Sequence, residues 1–355
     1  VHAVGGRAAD DDVGQGGPVG QLEQRVLAFV LAVAGPAAAH VTVNPSTATQ
    51  GGYTPAMKLE AQAGTLCRGL GYSEIITYSF TSPTAFDQIR LPGDSPLRSA
   101  LKIQNPLGED TSIMRTIALP SMLEILSRNN AYHNKAVKLY EIAKIYLPQE
   151  GQVLPEEPKM LVLGTYGAGE SFFTLKGELE AIFAGLRLKK VSYRAEKHNP
   201  SYHPGRCAEL SVDGVDVGVM GQVHPLVAKN YGIDSDVYCA EINFTKLMEY
   251  LLPDPTYTPL PKYPAVTRDL ALICDEAITV AQAEDVITTA AGKLLQGVKL
   301  FDIYRGVGVP EGKKSMAFSL ELRADDRTLT DTDSEAVVNK VLASLKEQLD
   351  ATLRG

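Results

Sequence analysis

The order of secondary-structure elements predicted in the last hundred residues most constrains the fold of this chain. Residues 269–275 are apolar with a loose alternation, which predicts a half-buried strand. Thr279 and Gln282 stand at the spacing of a capping box, which predicts a helix that runs to about Leu295 and ends before Gly297. The block therefore begins with a strand followed by a helix.

Two more strands, a second helix and a short final strand are predicted after that helix. Residues 298–304 form the next predicted strand, and a Gly-rich loop leads to a third strand over residues 315–323. Alternate apolar residues of that strand share one face: Met316, Phe318, Leu320 and Leu322. Thr332 and Glu335 have the spacing to cap the last helix. Helices on one face of a mainly antiparallel four-stranded sheet form a ferredoxin-like βαββαβ sandwich.

The sequence pattern in the middle of the chain predicts a separate α+β domain. Thr54 and Pro55 begin a helix that Gly71 ends, and residues 74–80 follow as a predicted strand. A polar loop then leads to an amphipathic helix from Leu119, and a long strand is predicted over residues 137–146. The predicted elements are those of a sheet with helices packed on it.

Composition and charge exclude several classes of protein. The chain has 355 residues, of which 45% are hydrophobic and 21% charged, as in an ordinary globular protein of two or three domains. We expect no membrane span, because no apolar run reaches about 20 residues. The four cysteines are far apart without a CxxC pair, which predicts a reduced, cytoplasmic setting. The net charge of −8 argues against a general polyanion binder.

Four stretches near the C-terminus resemble one known family of domains. They are residues 262–271 (KYPAVTRDLA), 298–304 (VKLFDIY), 312–315 (GKKS) and 327–331 (RTLTD). In this order they resemble the ferredoxin-fold anticodon-binding domain of the bacterial phenylalanyl-tRNA synthetase beta chain. The order of the four stretches makes the resemblance specific. A ferredoxin-like pattern alone would be weak evidence, because that fold hosts many functions.

The middle of the chain resembles the class II synthetase-like core of the same beta chain. The matching motifs are Asn105-Pro106, Arg115, Leu119-Pro120 and Tyr140-Glu141-Ile142, with further matches at residues 173–180, 203–208 and 218–225. The resemblance covers about residues 46–355. It implies a core over residues 46–252 and an anticodon-binding domain over residues 256–355. Residues 1–40 resemble no part of the family and residues 1–45 stay unassigned, and we expect a truncated or misassembled reading frame at this end.

The resemblance implies a catalytically silent core. In this family the alpha chain holds the aminoacylation site, so we expect no catalytic residue and no metal ligand on this chain. The sequence agrees at one place: Thr245-Lys246-Leu247 follows the predicted strand over residues 237–244, where an ATP-binding core would carry a Gly-rich turn and an Arg. ATP and Mg²⁺ would serve the whole complex from the alpha subunit.

The resemblance also implies partners. They are the alpha subunit, in an alpha2beta2 heterotetramer, and tRNA-Phe, which this chain would hold at the anticodon region. The candidate RNA-binding residues are Lys262, Arg268, Lys299, Tyr304, Arg305, Lys313 and Lys314, whose cations could reach phosphates and whose tyrosine could stack on a base. A solvated charged surface is the alternative, because residues 256–355 contain 12 Lys and Arg against 15 Asp and Glu.

Other interpretations stay open at this level. The chain could be a stand-alone RNA-binding or scaffold protein derived from the beta subunit, without a ligase role, or its core could be an active enzyme with its own ATP site. Arg115 could bind a substrate anion, but we expect an interface or a buried salt bridge, and we expect Glu141 to anchor an Arg or the backbone. His203 and His224 precede prolines, which favours loop packing over metal binding.

Overall fold

The computed structural model describes residues 51–354. Contacts divide the chain into two compact units, with the division between Leu252 and Pro253. Both units are α/β mixtures built on a largely antiparallel sheet, as the predicted fold class requires. The predicted domain limits at residues 252 and 256 stay a prediction.

The first unit contains six α-helices and nine strands among its described residues. The helices are α1 (Pro55–Gly69), α2 (Ala85–Gln88), α3 (Leu119–Ala131), α4 (Phe172–Gly185), α5 (Pro225–Asn230) and α6 (Phe244–Leu247). The strands are β1 (Ser73–Glu74), β2 (Phe80–Thr81), β3 (Ile113–Met114), β4 (Val137–Lys144), β5 (Lys159–Tyr166), β6 (Val191–Ala195), β7 (Tyr202–Val212), β8 (Val215–Val223) and β9 (Val237–Asn243). Short 3-10 turns occupy Pro96–Arg98, Glu109–Thr111 and Met248–Tyr250.

A seven-stranded sheet forms the middle layer of the first unit. Its order is β1-β4-β5-β9-β8-β7-β6, and only the β1–β4 pair is parallel among the described strands. Helices α1 and α4 cover one face, and α3 and α5 cover the other. Gly164 of β5 allows α3 to lie close, because a Cβ there would stand 2.6 Å from the Met122 side chain. Both faces of this sheet are therefore buried.

Most predicted elements of the first unit are confirmed, and one is wrong. The Thr54 side chain caps α1, and the helix from Leu119 and the strand from Val137 begin where they were expected. The predicted strand over residues 74–80 is wrong, because only its two ends are in strands. Between them the Thr77 N–H donates to the Glu141 carboxylate at 2.9 Å, so a side chain replaces the sheet partner.

The second unit is the predicted ferredoxin-like sandwich. Its strands are β10 (Val266–Asp275), β11 (Leu295–Tyr304), β12 (Lys313–Leu322) and β13 (Thr352–Leu353), and its helices are α7 (Val280–Ala291) and α8 (Asp331–Leu349), with a 3-10 turn at Gly292–Leu294. The sheet order is β11-β12-β10-β13, and every pair is antiparallel. Met316, Phe318, Leu320 and Leu322 are all buried, as predicted. The apolar residues of both helices pack against this one face of the sheet.

Two helix limits in the second unit differ from the prediction. Helix α7 ends at Ala291 because Gly292 takes a positive φ of 64°, so the next strand begins at Leu295, before the predicted Val298. The last helix is capped by Thr330 and Asp333, and the predicted pair Thr332 and Glu335 lies inside the helix. Both pairs have capping-box spacing, so the sequence alone did not separate them.

Within residues 51–354, no helix is long and apolar enough to cross a membrane. The Ala-rich segment before residue 40 lies outside the described residues. All four cysteines are described, and each is buried and free of a disulfide.

Candidate functional site

A buried ion pair lies on the α3 side of the first unit. The Arg115 guanidinium stands 3.6 Å from the Glu141 carboxylate, and both side chains are more than nine-tenths buried. Arg115 also donates to the Lys144 carbonyl at 2.8 Å and to the Thr77 hydroxyl at 2.6 Å. Burial lowers the pKa of Arg115, and the Glu141 charge opposes that shift. The prediction that these two residues serve a buried salt bridge and a backbone anchor is confirmed.

A second buried glutamate, Glu241, lies in the same row of the sheet, and the sequence predicted no role for it. Val162 pairs with both Glu141 and Glu241, so the two glutamates flank it. The Glu241 carboxylate accepts the N–H groups of Ala118 and Leu119 at 3.2 and 3.0 Å, at the start of α3. Burial raises the pKa of Glu241 to about 7. This carboxylate therefore acts as a cap for α3.

A cavity of about 700 Å³ opens beside these groups, and its lining does not fit ATP. Its walls carry two carboxylates, Asp110 and Glu124, and a single guanidinium, Arg128. A triphosphate requires several fixed cations and a metal ion. Arg115 does not add a cation for a triphosphate, because its donors are directed to Glu141, Thr77 and a backbone carbonyl. Among the residues from 51 to 354, no cluster of His, Cys, Asp and Glu is arranged to hold a metal ion.

The two histidines singled out in the sequence bind the backbone. His203 accepts the Gly205 N–H at 3.0 Å, and His224 accepts the Leu226 N–H at 3.1 Å at the start of α5. The pKa of His224 is lowered, mainly because the imidazole is buried and to a smaller extent because positive charge lies nearby. These contacts match the loop-packing interpretation.

Large apolar side chains are exposed beside β1, the edge strand of the seven-stranded sheet. Ile76 is 91% exposed and Tyr78 is 75% exposed. The Tyr78 ring stacks on Phe80 with a centroid separation of 5.3 Å, which holds the segment in shape. Exposed apolar groups next to a sheet edge are a feature of surfaces that contact protein partners. We call Ile76, Tyr78 and Phe80 the edge patch.

Three of the candidate RNA-binding residues are held by contacts within the second unit. Arg268 donates to Asp331 at 2.6 Å and to Ser334 at 2.9 Å, at the start of α8. Arg305 forms a two-pronged pair with Glu276. Lys314 is only 8% exposed, and its ammonium donates to the Glu276 carbonyl at 2.9 Å. The loop interpretation of Lys314 is therefore wrong in one respect, because the residue lies in β12 on the face that the helices cover.

Three others share the face of the four-stranded sheet that no described helix covers. Lys299 pairs with Ser319, and Tyr304 pairs with Ser315. Those serines are four residues apart on β12, so Lys299 and Tyr304 point to the same side. Lys313 is two residues before Ser315 and belongs to this side as well, although its ammonium lies 3.9 Å from the Asp350 carboxylate at the end of α8. We call this side of the sheet the open face.

A residue that the sequence did not single out lies with this group. The Arg354 guanidinium stands 4.8 Å from the centre of the Tyr304 ring, a cation–π contact. The Tyr304 hydroxyl donates to the Val307 carbonyl at 3.4 Å, so both the ring face and the hydroxyl of Tyr304 have a contact within the unit. Lys262 lies apart from these residues, exposed before β10. Asp269, Asp275 and Asp302 also belong to the open face by register, and Asp275 lies directly opposite Lys313, so this face carries charges of both signs.

Comparisons with known proteins match both units. The family model described as the phenylalanyl tRNA synthetase beta chain CLM domain matches residues 41–244, and the ferredoxin-fold anticodon binding domain model matches residues 261–354. The phenylalanine–tRNA ligase beta subunit of Clostridium tetani is 43% identical over 314 residues, covering 88% of this chain and 40% of the relative. That of Clostridium acetobutylicum is 44% identical over 285 residues, covering 80% and 36%.

The similarity extends beyond the clostridia. The beta subunit of Geobacillus kaustophilus is 36% identical over 326 residues, covering 88% of this chain and 40% of that protein. The chain thus spans about two fifths of the length of the curated relatives it matches. The core model alone matches more than half of the chain. The chain belongs to the phenylalanyl-tRNA synthetase beta chain family.

Proposed function

We propose that this chain supplies the core and the anticodon-binding part of a phenylalanine–tRNA ligase beta subunit. In this role it assembles with a catalytic alpha subunit and holds the anticodon region of tRNA-Phe during ATP-dependent attachment of phenylalanine. The observation that carries the proposal is the open face, where Lys299, Tyr304 and Arg354 lie on the side that no described helix covers, in a domain that matches the anticodon-binding model. Lys313 belongs to the same face and lies 3.9 Å from Asp350 at the end of α8.

The open face suits single-stranded RNA. Aromatic rings stack on bases, and Lys and Arg contact phosphates, so a sheet with both groups on one side can hold an exposed loop. The Tyr304 ring already carries Arg354 on one side at 4.8 Å, and a base would extend this stack or displace the guanidinium. Arg268, Arg305 and Lys314 act in this proposal as supports, because their donors are directed to groups within the domain.

The core serves assembly in this proposal. The guanidinium of Arg115 is directed to internal partners, while the edge patch exposes Ile76 and Tyr78. The alpha subunit covers this patch and supplies the site for ATP and Mg²⁺. Holding the tRNA far from the reacting ends still assists catalysis, because remote binding energy orients the substrate. The stoichiometry would be alpha2beta2 and the setting the cytoplasm.

Charge reversal on the open face tests the RNA contact. The variant carrying Lys299→Glu and Lys313→Glu should weaken tRNA-Phe binding by the alpha–beta complex. It should also reduce the slope of log affinity against log salt by about 0.7–0.9 for each phosphate that the protein no longer neutralises. Fluorescence anisotropy over a salt series measures both. Lys340→Glu, an exposed cation on α8, is the matched control and should leave the slope unchanged. Equal slopes for all three proteins would reject the open face as the RNA surface.

Polar substitution in the edge patch tests assembly. Ile76→Asp should abolish co-purification of the chain with a catalytic alpha subunit, because a buried unpaired charge is costly at an interface. Val153→Asp is the control, since Val153 is 97% exposed on a turn of the same unit. Binding of tRNA by this chain with no retention of an alpha subunit by the wild-type protein would favour the stand-alone RNA-binding alternative.

A further inference from the structure

A separate cavity of about 580 Å³ lies on the α4 side of the core, where the start of α4 meets β6 and β7. Its volume is within the range of small-molecule sites, about 300–1,000 Å³. The walls include four aromatic rings, those of Phe172, Phe173, Tyr193 and Tyr238, and the small side chains of Ala195 and Ala208. The lining is therefore mainly apolar and flat, which suits a planar ring.

Two contacts fix the aromatic walls. The Phe172 and Phe173 rings meet edge to face with centroids 5.4 Å apart. The Lys176 ammonium, which also lines the cavity, lies 4.5 Å from the centre of the Tyr193 ring, a close cation–π contact. Phe173 nevertheless stays 78% exposed. An aromatic side chain held this open at a cavity mouth has a ring face free for stacking.

The charged groups of the lining are all cations. They are Lys176, Arg194 and Arg206, and no carboxylate lines the cavity. Each has a polar partner outside the lining: Lys176 pairs with Glu180, Arg194 with Glu209, and Arg206 donates to Gln222 at 2.7 Å and lies 3.9 Å from Asp236. Arg194 and Arg206 remain 73% and 54% exposed, so their other donors are accessible. The lining thus combines aromatic walls with two exposed guanidinium groups that can donate to a ligand.

We propose that this cavity binds a small planar aromatic anion. The ring would stack against Phe173 and Tyr193, and the anionic group would accept from Arg194 and Arg206, whose planar forks suit a carboxylate or a phosphate. The same chemistry describes an aromatic carboxylate and a nucleoside monophosphate. This site is distinct from the open face and the edge patch, and it does not depend on the proposed ligase role.

Two probes distinguish an aromatic carboxylate from a nucleoside monophosphate as the ligand. The full chain is titrated with 3-phenylpropionate and with AMP by calorimetry, and ligand-observed NMR confirms each contact. We expect one of them to bind at 1:1 stoichiometry with a Kd below about 1 mM. Binding of the carboxylate alone assigns a small aromatic acid, and binding of AMP alone assigns a nucleotide. The neutral amide 3-phenylpropanamide should bind about tenfold more weakly than the carboxylate if the cations contribute.

Exposed lining residues supply variants that should leave the fold intact. Phe173→Ala and Arg194→Gln should each lower the affinity for the probe that binds by about tenfold. Tyr132→Ala and Lys197→Gln are matched controls, an exposed aromatic and an exposed cation outside the lining, and should not change the affinity. The proposal is overturned if neither anion binds, if both lining variants bind as the wild type does, or if the neutral amide binds as tightly as the carboxylate.

Discussion

The two sheets of this protein differ in how many faces are covered, and the difference separates buried charges from more accessible ones. The seven-stranded sheet carries helices on both faces, so the charged groups Arg115, Glu141 and Glu241 are enclosed and satisfied internally. The four-stranded sheet carries its described helices on one face, and Lys299, Lys313 and Arg354 belong to the other. Similar residue types thus stabilise one unit and remain accessible in the other.

The largest effect that tests this comparison is expected at Arg115. Arg115→Met leaves Glu141 buried without its cation, and breaking a buried pair in this way costs about 3–5 kcal/mol. Hydrogen exchange followed by mass spectrometry should show the destabilisation in β4 and α3, with the second unit unaffected. The double variant Arg115→Met, Glu141→Leu should recover most of that stability. A decrease below about 1 kcal/mol would mean that the enclosed charges are not structural.

A pH-dependent effect of slightly smaller size is expected at Glu241. Burial raises its pKa to about 7, above the ordinary value near 4.3 of an unfolded chain. The folded state therefore keeps a proton that the unfolded state releases, so stability falls as the pH rises from about 4 to 7. The whole contribution is about 3 kcal/mol.

The matching measurement is urea unfolding of the wild type and Glu241→Gln at pH 4.5 and pH 8. The glutamine variant keeps a neutral side chain at both values, so its stability relative to the wild type should be higher at pH 8. An equal difference at the two pH values would show that Glu241 is ionised throughout this range.

A medium effect is expected from the cap of α8. Thr330→Ala removes the acceptor for the Asp333 N–H, and removing such a cap costs about 1 kcal/mol. Thr332→Ala is the control, because Thr332 is exposed inside the helix and makes no cap. Hydrogen exchange in the first turn of α8 measures the change. A larger effect at Thr332 would contradict the observed helix start.

The smallest effect is expected on the open face. Lys299→Gln should change the free energy of unfolding by less than about 0.5 kcal/mol, since exposed positions away from caps and cores tolerate substitution. Thermal unfolding followed by circular dichroism suffices. A decrease above about 1 kcal/mol for Lys299→Gln would assign that lysine to the fold.

Local patterns in the sequence were sufficient for the architecture, and failed where side chains from distant segments decide. The alternation of Met316, Phe318 and Leu320 identified β12, and Thr279 with Gln282 identified the start of α7. The segment between β1 and β2 was misassigned because Thr77 bonds Glu141, 64 residues away. Such a contact leaves no periodic signal.

The candidate site was only partly predictable for the same reason. Lys313 and Lys314 are adjacent in sequence, yet β12 directs them to opposite faces, so one is accessible and the other buried. Arg354 was missed because its contact with Tyr304 depends on β13 joining the far edge of the sheet. The sequence predicted no role for Glu241, because its role follows from the position of α3.

The irregular pairing of β11 has a consequence for how the open face can change. Leu300 pairs with Phe318 and Asp302 with Ala317, so Phe301 is an extra residue without a partner on β12. Its side chain is 55% exposed. Because the flanking pairs are consecutive on β12, replacing or deleting this residue would preserve the alignment of Lys299 and Tyr304. The chain thus carries an aromatic group at the margin of its open face whose identity can vary independently of the hydrogen-bonded scaffold.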